Sequence, residues 1–275
     1  MKKFTKRLSV AFAIIIVFLG VSVGIGFGAK RISSDLTLSG LFNTKYFLTA
    51  HRGFSSIAPE NTAPALIEAG KAGFYAAEFD IIPTADGVWV LIHDDTVDRT
   101  TDGEGEVEKL TYAQLKEMKI DSGNGIENYP DLRISTLEEA IDICLEYSMR
   151  PMIEVKGGTP EDMQSVLDII NAKGVKDISL VIDFDKDRLS ALRALDGGIE
   201  LWHLTNKITD ETIDFVKENN AGIAFNFGIP QNYFYINDAK REDITLASWT
   251  VDIPFVVDVL NAAGVDYITT NKILP

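Results

Sequence analysis

"YFLTAHRGFSSIAPENTAPALIEAGKAGFYAAEFDII", residues 46–82, reads as strand, helix, strand. The apolar run Tyr46–His51 ends on an imidazole and, at Arg52, a guanidinium. A glycine follows, and Pro59-Glu60-Asn61-Thr62 reads as a helix start, with Asn61 or Thr62 as the cap of Ala63–Ala72. Tyr75–Ile82 is the next strand. The same alternation continues to the end of the chain. Further strands are expected at 152–155, 178–184, 199–204, 222–227, 244–251 and 266–270, each short and apolar or β-branched. Helices are expected at 137–148, 161–173, 187–195, 210–219 and 254–263. Thr136 with Glu139 forms a capping-box pattern. The runs "ENNAG" and "NAAG" close their helices on glycine. Eight strands with intervening helices in roughly 230 residues predict an α/β fold, a (β/α)8 barrel. An open doubly wound sheet is the runner-up, but no G-x-G-x-x-G follows the first strand to support its dinucleotide role.

Two excursions interrupt this rhythm. Val88–Asp94 is an extra strand after the hairpin pair Asp86-Gly87. Residues 95–135 form a long, polar, glycine-rich insertion, read as a functional loop or lid. Its spacing does not meet that of a helix-loop-helix calcium site.

The formal charge of −15 and a pI near 4.6 exclude a nucleic-acid surface, which needs clustered Lys and Arg. An anionic substrate therefore needs local positive charge from a metal ion, Arg52 or a lysine. Cys144 is the only cysteine, so no intrachain disulfide forms, and its place in "LEEAIDICLEY" marks it as core.

Ahead of the domain, Lys2, Lys3, Lys6 and Arg7 precede Ser9–Ala29, which carries no charge. At 1.5 Å per residue that run reaches about 30 Å, enough to span a bilayer. Residues 1–29 are read as a membrane anchor or signal segment. An uncleaved anchor fits better, because a cleavable signal has a shorter apolar region and Phe27 suits a cleavage site poorly. The flanking cations place the N-terminus in the cytoplasm and the domain outside it, at the cell membrane. Cleavage would make the protein secreted. Residues 30–44 read as a linker, and 45–275 as the barrel domain.

The active site of such a barrel forms at the C-terminal ends of its strands. Those ends supply His51 and Arg52, then Glu78 and Asp80 in "AAEFDIIP", then Glu154 and Lys156 in "MIEVKGG". The i, i+2 spacing puts each of the last two pairs on one strand face. Carboxylates at the ends of apolar inner strands are costly unless paired or cation-bound. Three converging on one mouth make an oxygen-ligand site for a divalent cation, Mg²⁺ or Ca²⁺. A two-residue hairpin loop at Asp86-Gly87 sets Asp80 opposite His93, and a four-residue loop sets Glu78 there. Either places His93 on the carboxylates' face, about 4.5–5.5 Å away at Cβ. A three-residue loop breaks this parity. His203 in "ELWHLTN" reads as structural, Trp249 as core or pocket lining, and Asp94 and Asp95 as solvated.

The ordered motifs "AHRG…PENT", "EFDIIPTADG", "VLIHDDTVDRTT", "IEVKGG", "STLEEA" (135–140) and "ASWTVD" (247–252) resemble the glycerophosphodiester phosphodiesterase family, from about residue 47 to the end. The resemblance implies a TIM barrel that hydrolyses a glycerophosphodiester to glycerol phosphate and an alcohol. It implies His51 and His93 as the acid/base pair, Glu78, Asp80 and Glu154 as cation ligands, and Arg52 and Lys156 as phosphate contacts. One corner departs. The family's last strand commonly ends in Thr-Asp-x-Pro, whereas this chain has Thr270-Asn271-Lys272-Ile273, a corner expected to touch none of those residues. A related phosphodiesterase of lysophospholipase D or phospholipase type is the alternative, and a non-enzymatic binding barrel the third reading. The intact histidine and carboxylate set argues against the third. Few large apolar residues in the insertion argue for a small water-soluble substrate over a lipid.

Overall fold

The computed structural model describes residues 46–275; the predicted anchor or signal segment (1–29) and linker (30–44) lie outside the described residues. Eight parallel strands close into a barrel: β1 (Phe47–Ala50), β2 (Ala76–Pro83), β4 (Arg150–Val155), β5 (Leu180–Asp183), β6 (Glu200–Thr205), β7 (Gly222–Asn226), β8 (Leu246–Trp249) and β9 (Tyr267–Thr270). Closure comes from β1, which pairs with both β2 and β9. Helices α1 (Ala63–Ala72), α3 (Leu137–Glu146), α4 (Met163–Ala172), α5 (Lys186–Leu195), α6 (Asp210–Glu218), α7 (Asn232–Arg241) and α8 (Pro254–Ala263) cover the outside. None of the helices among the described residues is long and apolar enough to cross a membrane.

The period-two alternation of the strands separates two cores. Outward residues such as Phe79, Ile153, Val181 and Phe225 pack under the helices. Inward residues Met152, Leu180, Ile182, Trp202, Leu204 and Tyr267 fill the barrel. Local signals agree with this plan. Thr62 Oγ1 caps α1, and Gly73, at φ 83°, ends it. Thr136 and Glu139 make the reciprocal capping box that opens α3. Cys144 is buried in the core, where burial pushes its thiol up to about 12.

Four expectations change. Helix α6 ends through Asn220, at φ 45°, rather than on a glycine. Gly222 instead opens β7, where a Cβ would fall 2.4 Å from the Trp202 ring. Helix α7 was not anticipated: "NYFYINDAKR" is rich in aromatics and Asn, weak helix formers, and is held by packing of Tyr233, Ile236 and Ala239.

The insertion is a small folded layer, not an open loop. Val97, Val107, Leu115, Ile120 and Ile134 share a core with Ile82, Val90 and Ile92. It includes α2 (Tyr112–Glu117), opened by the Thr111–Gln114 capping box.

The hairpin between β2 and β3 (Trp89–Leu91) has a three-residue loop. Pro83 pairs with Trp89, and Thr84 N donates to Val88 O. Gly87 takes the left-handed position such loops require (φ 81°). The ladder therefore sets Ile92, not His93, opposite Asp80. Residue His93 reaches the mouth by another route, because the chain leaves the strand after Leu91 and bends.

Candidate active site

All seven residues singled out from the sequence gather at the C-terminal mouth, on its β1–β2–β4 side. Register places Asp80 level with Glu154 on the neighbouring strand, with Glu78 one inward position below. Glu78, Asp80 and Glu154 are buried, and a ligand oxygen from each lies within 4.8 Å of the others. Burial, then the neighbouring carboxylates Asp80 and Glu154, raise Glu78 well above the usual carboxylate range. Burial, then Asp80, raise Glu154 to about 7. Glu78 Oε1 and Asp80 Oδ1 are buried without a hydrogen-bond partner. A buried oxygen left unpaired is costly. The all-oxygen donor set with two orphaned atoms fits a hard divalent cation.

Three chain segments brace this cluster. After β1, Arg52 and Gly53 both take positive φ (56° and 72°), turning the backbone over the carboxylates. Arg52 N donates to Glu78 Oε2 at 2.7 Å. A Cβ on Gly53 would lie 2.7 Å from the Ala65 backbone, so α1 can approach only a glycine there. The Arg52 side chain bonds Glu60 through Nη1 (2.9 Å) and lies 3.4 Å from Asp80.

Asn61 (φ 55°) grips Asp80 twice, Nδ2 donating to Oδ2 at 2.8 Å and Oδ1 accepting from Asp80 N at 3.0 Å. Of the two residues offered as helix caps, Thr62 is the cap and Asn61 holds a candidate ligand. Lys156 donates to Glu154 at 3.0 Å and lies 3.2 Å from His93 Nε2. Burial works against its charge, but Glu154 and Asp80 outweigh that, and its pKa is raised.

The two imidazoles differ in what stands behind them. His51 Nδ1 meets Asn271 Oδ1 at 2.8 Å. Asn271 Nδ2 donates to Asp252 Oδ2 at 2.8 Å, which fixes the amide orientation. Oδ1 is then the acceptor, so His51 carries its proton on Nδ1 and keeps Nε2 for a ligand. Burial, then the Arg52 charge, lower the His51 pKa. The corner where the sequence departs from the family pattern thus touches His51 directly, contrary to expectation.

His93 Nδ1 instead meets a carboxylate, Asp94 Oδ1, at 2.7 Å. Arg99, reaching in from the insertion, bonds both Asp94 and Glu60. That bond chiefly holds Asp94 down to about 2. Asp94 is therefore an ionised partner of His93 and not merely a solvated acid. Sequence reading missed Asp94, Arg99, Asn61, Asn271 and Asp252 as site residues.

His203 lies apart, buried, with Nδ1 3.2 Å from the Asp183 carbonyl. Met152, Ile182, Leu204, Phe184 and Trp249 add an apolar lining to the same cavity.

A parallel barrel whose mouth sets two imidazoles, an arginine and a lysine around three carboxylates is the equipment of a cation-dependent hydrolase of anionic esters. The chain belongs to the glycerophosphoryl diester phosphodiesterase family, which matches residues 51–274. Glycerophosphodiester phosphodiesterase 1 of Mus musculus is 47% identical over 109 residues, covering 39% of this chain and 33% of that protein. The aligned part is thus a third of the length of that mammalian relative. The glycerophosphodiester phosphodiesterase of Caldanaerobacter subterraneus subsp. tengcongensis is 29% identical, over 82% of this chain and 94% of that one. A phosphodiesterase of Oleispira antarctica, solved in complex with the product sn-glycerol-3-phosphate, superposes with a TM-score of 0.77 at 26% identity, covering 84% of this chain and 94% of the other.

Proposed function

We propose that this chain hydrolyses a glycerophosphodiester to glycerol phosphate and an alcohol, using His51 and His93 as the acid/base pair. The observation that carries the reading is the pair of imidazoles beside a buried three-carboxylate cluster in one cavity that also presents Arg52 and Lys156. The Oleispira phosphodiesterase with bound glycerol phosphate, of the same fold, supports it.

Glu78, Asp80 and Glu154 would hold a divalent cation, Mg²⁺ or Ca²⁺. Such a cation neutralises charge on the phosphoryl oxygens as the transition state forms. Arg52 and Lys156 bind and orient the phosphate. A phosphate drawn to Lys156 replaces its contact with His93 Nε2.

His51 has a lowered pKa and a neutral amide partner, which suits a base that takes the nucleophile's proton at Nε2. His93 has the ionised Asp94 behind it, which can balance imidazolium charge as Nε2 gives a proton to the leaving alkoxide. The nucleophile is water, or a substrate hydroxyl through a cyclic ester.

The uncharged run at 9–29 supports placement at the cell membrane with the barrel outside the cytoplasm. The lipid-directed alternative, of lysophospholipase D or phospholipase type, draws on the apolar lining of the cavity.

Release of glycerol phosphate from a panel of soluble diesters, with and without chelator, tests the main reading. Turnover that saturating chelator leaves untouched would remove the cation from it. Absence of turnover on every diester would remove the reading itself.

A further inference from the structure

We propose that Glu108, from the insertion, and Arg188, from α5, are positioning residues that together set Lys156 at the mouth. This rests on the phosphodiesterase reading above, in which Lys156 binds the phosphate, and names what holds that lysine in place.

Lys156 leaves β4 into Gly157-Gly158. Its ammonium rides on a flexible four-carbon stem, so its reach depends on where the backbone beneath it lies. That backbone is held from three directions. Lys156 N donates to the Ile81 carbonyl of β2 at 3.0 Å. The carbonyls of Val155 and Gly158, one on each side of the lysine, accept from Arg188 Nη2 at 3.3 Å and Nη1 at 3.2 Å. Gly158 N donates to Glu108 Oε1 at 2.7 Å. Two long side chains from different elements thus converge on Gly158. The cavity lining includes Lys156 and neither of these two residues, so both act from behind it.

Arg188 is itself aimed by Asp183 at the end of β5. Nε donates to Asp183 Oδ2 at 2.7 Å and Nη2 to Oδ1 at 2.9 Å, the two-point fit of a guanidinium on a carboxylate. Asp183 is buried. Desolvation offsets much of what a buried ion pair gains, so stability alone is weak ground for this one. What the pair does fix is direction, because it turns the remaining N–H groups of a planar fork toward the two carbonyls that flank Lys156. A lysine at 188 would keep the charge beside Asp183 but not that fork.

Glu108 lies on a 3-10 turn, Val107–Lys109, anchored by Val107 in the core of the insertion. Its own side chain is exposed except where it meets Gly158 N. The space between is cut to glycine. A Cβ on Gly157 would fall 2.8 Å from Glu108 Oε1 and 2.9 Å from Ile82 Cγ2, and one on Gly158 (φ 78°) 2.9 Å from Trp89 Cη2. The insertion therefore grips the mouth at two points: Arg99 bonds Asp94 behind His93, and Glu108 bonds the peptide beyond Lys156. The two grips meet where Lys156 Nζ lies 3.2 Å from His93 Nε2.

The test uses the full chain in saturating Mg²⁺, with inorganic phosphate as the binding probe and a soluble glycerophosphodiester as the substrate. Glu108 is exposed and can be changed without threatening the fold, so it carries the test. Glu108→Ala should weaken phosphate binding about 10-fold by calorimetry and lower kcat/KM by a similar factor. The melting midpoint should stay within about 2 °C. Glu108→Gln keeps the acceptor oxygen and should keep both affinity and turnover. Arg188→Lys should lose at least as much as Glu108→Ala. The deciding measurement is a double-mutant cycle with Lys156→Met. If both residues act through the lysine, adding Glu108→Ala or Arg188→Lys to Lys156→Met should change phosphate affinity by less than about 2-fold. Equal losses with and without the lysine would overturn the proposal and mark the two residues as structural braces. Unchanged phosphate affinity in Glu108→Ala or Arg188→Lys would overturn it as well. A parent that binds phosphate but cleaves no diester would refute the phosphodiesterase reading and leave the positioning to be decided by the affinities. A parent that binds no phosphate would refute the role given to Lys156 and the proposal with it.

Discussion

The carboxylate cluster should make the cation-free protein less stable as pH rises, and a cation should reverse that loss. Glu154 sits at about 7 in the fold against an unperturbed 4.5, because burial and Asp80 penalise its charge. The native state therefore holds a proton that the unfolded chain releases. With native pKa above unfolded, stability falls as pH climbs past 4.5 and levels off above about 7. At ~1.4 kcal/mol per pKa unit, Glu154 alone removes about 2–3 kcal/mol between pH 5 and 7.5. Glu78 is shifted in the same direction and adds to this. A domain of this size moves about 2–4 °C per kcal/mol, so the midpoint should fall by roughly 5–10 °C over that range. Cation ligands must be deprotonated, so affinity rises over the same interval. A cation at 100 times its Kd adds about 2.7 kcal/mol. Thermal melts in chelator and in saturating Mg²⁺ or Ca²⁺, at pH 5 and 7.5, read both effects. Glu154→Gln removes the titrating group and separates its slope from those of other acids. An equal cation shift at both pH values, no shift at all, or an unchanged slope in Glu154→Gln would refute the reasoning.

His93→Ala should slow turnover about 10²–10⁴-fold, with much of the loss recovered on a diester with a nitrophenol leaving group. His51→Ala should show no such recovery, and equal rescue of both would refute the division into acid and base. Asn271→Asp puts a carboxylate on His51 Nδ1, which should raise the pKa of that ring. The acid limb of the kcat/KM profile should then move to higher pH, and an unmoved limb would mean that the limb does not report His51. Asn61→Ala removes both bonds that orient Asp80 and should weaken cation binding about 10–100-fold by calorimetry, with the fold's melting in chelator as the control for stability.

The barrel was legible because its evidence is local. Apolar runs of four to eight residues, caps such as Thr136 with Glu139, and glycine stops such as Gly264 each depend on neighbours in sequence. Helix α7 was not legible, because Asn232, Tyr233 and Phe234 favour other conformations and only tertiary packing overrides them. The hairpin shows a subtler limit. Parity tied the side-chain face of His93 to loop length, and Asp86-Gly87 does not by itself reveal a three-residue loop. The conclusion that His93 joins the cluster held although its stated geometric route did not, since a bend after β3 does what register was supposed to do.

The site divides along the same line. Glu78 with Asp80, and Glu154 with Lys156, are visible as i, i+2 pairs on single strands, where chemistry and spacing coincide. The groups that set the state of the imidazoles are not. Asn271 lies 220 residues from His51 in the chain and becomes its neighbour only because β9 closes the barrel against β1. Arg99 reaches Glu60 and Asp94 only because the insertion folds on its own small core. Short-range pattern therefore identifies the groups proposed to bind phosphate and cation. Closure and insertion decide which imidazole is backed by an amide and which by a carboxylate, and that difference is the basis for assigning one as base and the other as acid.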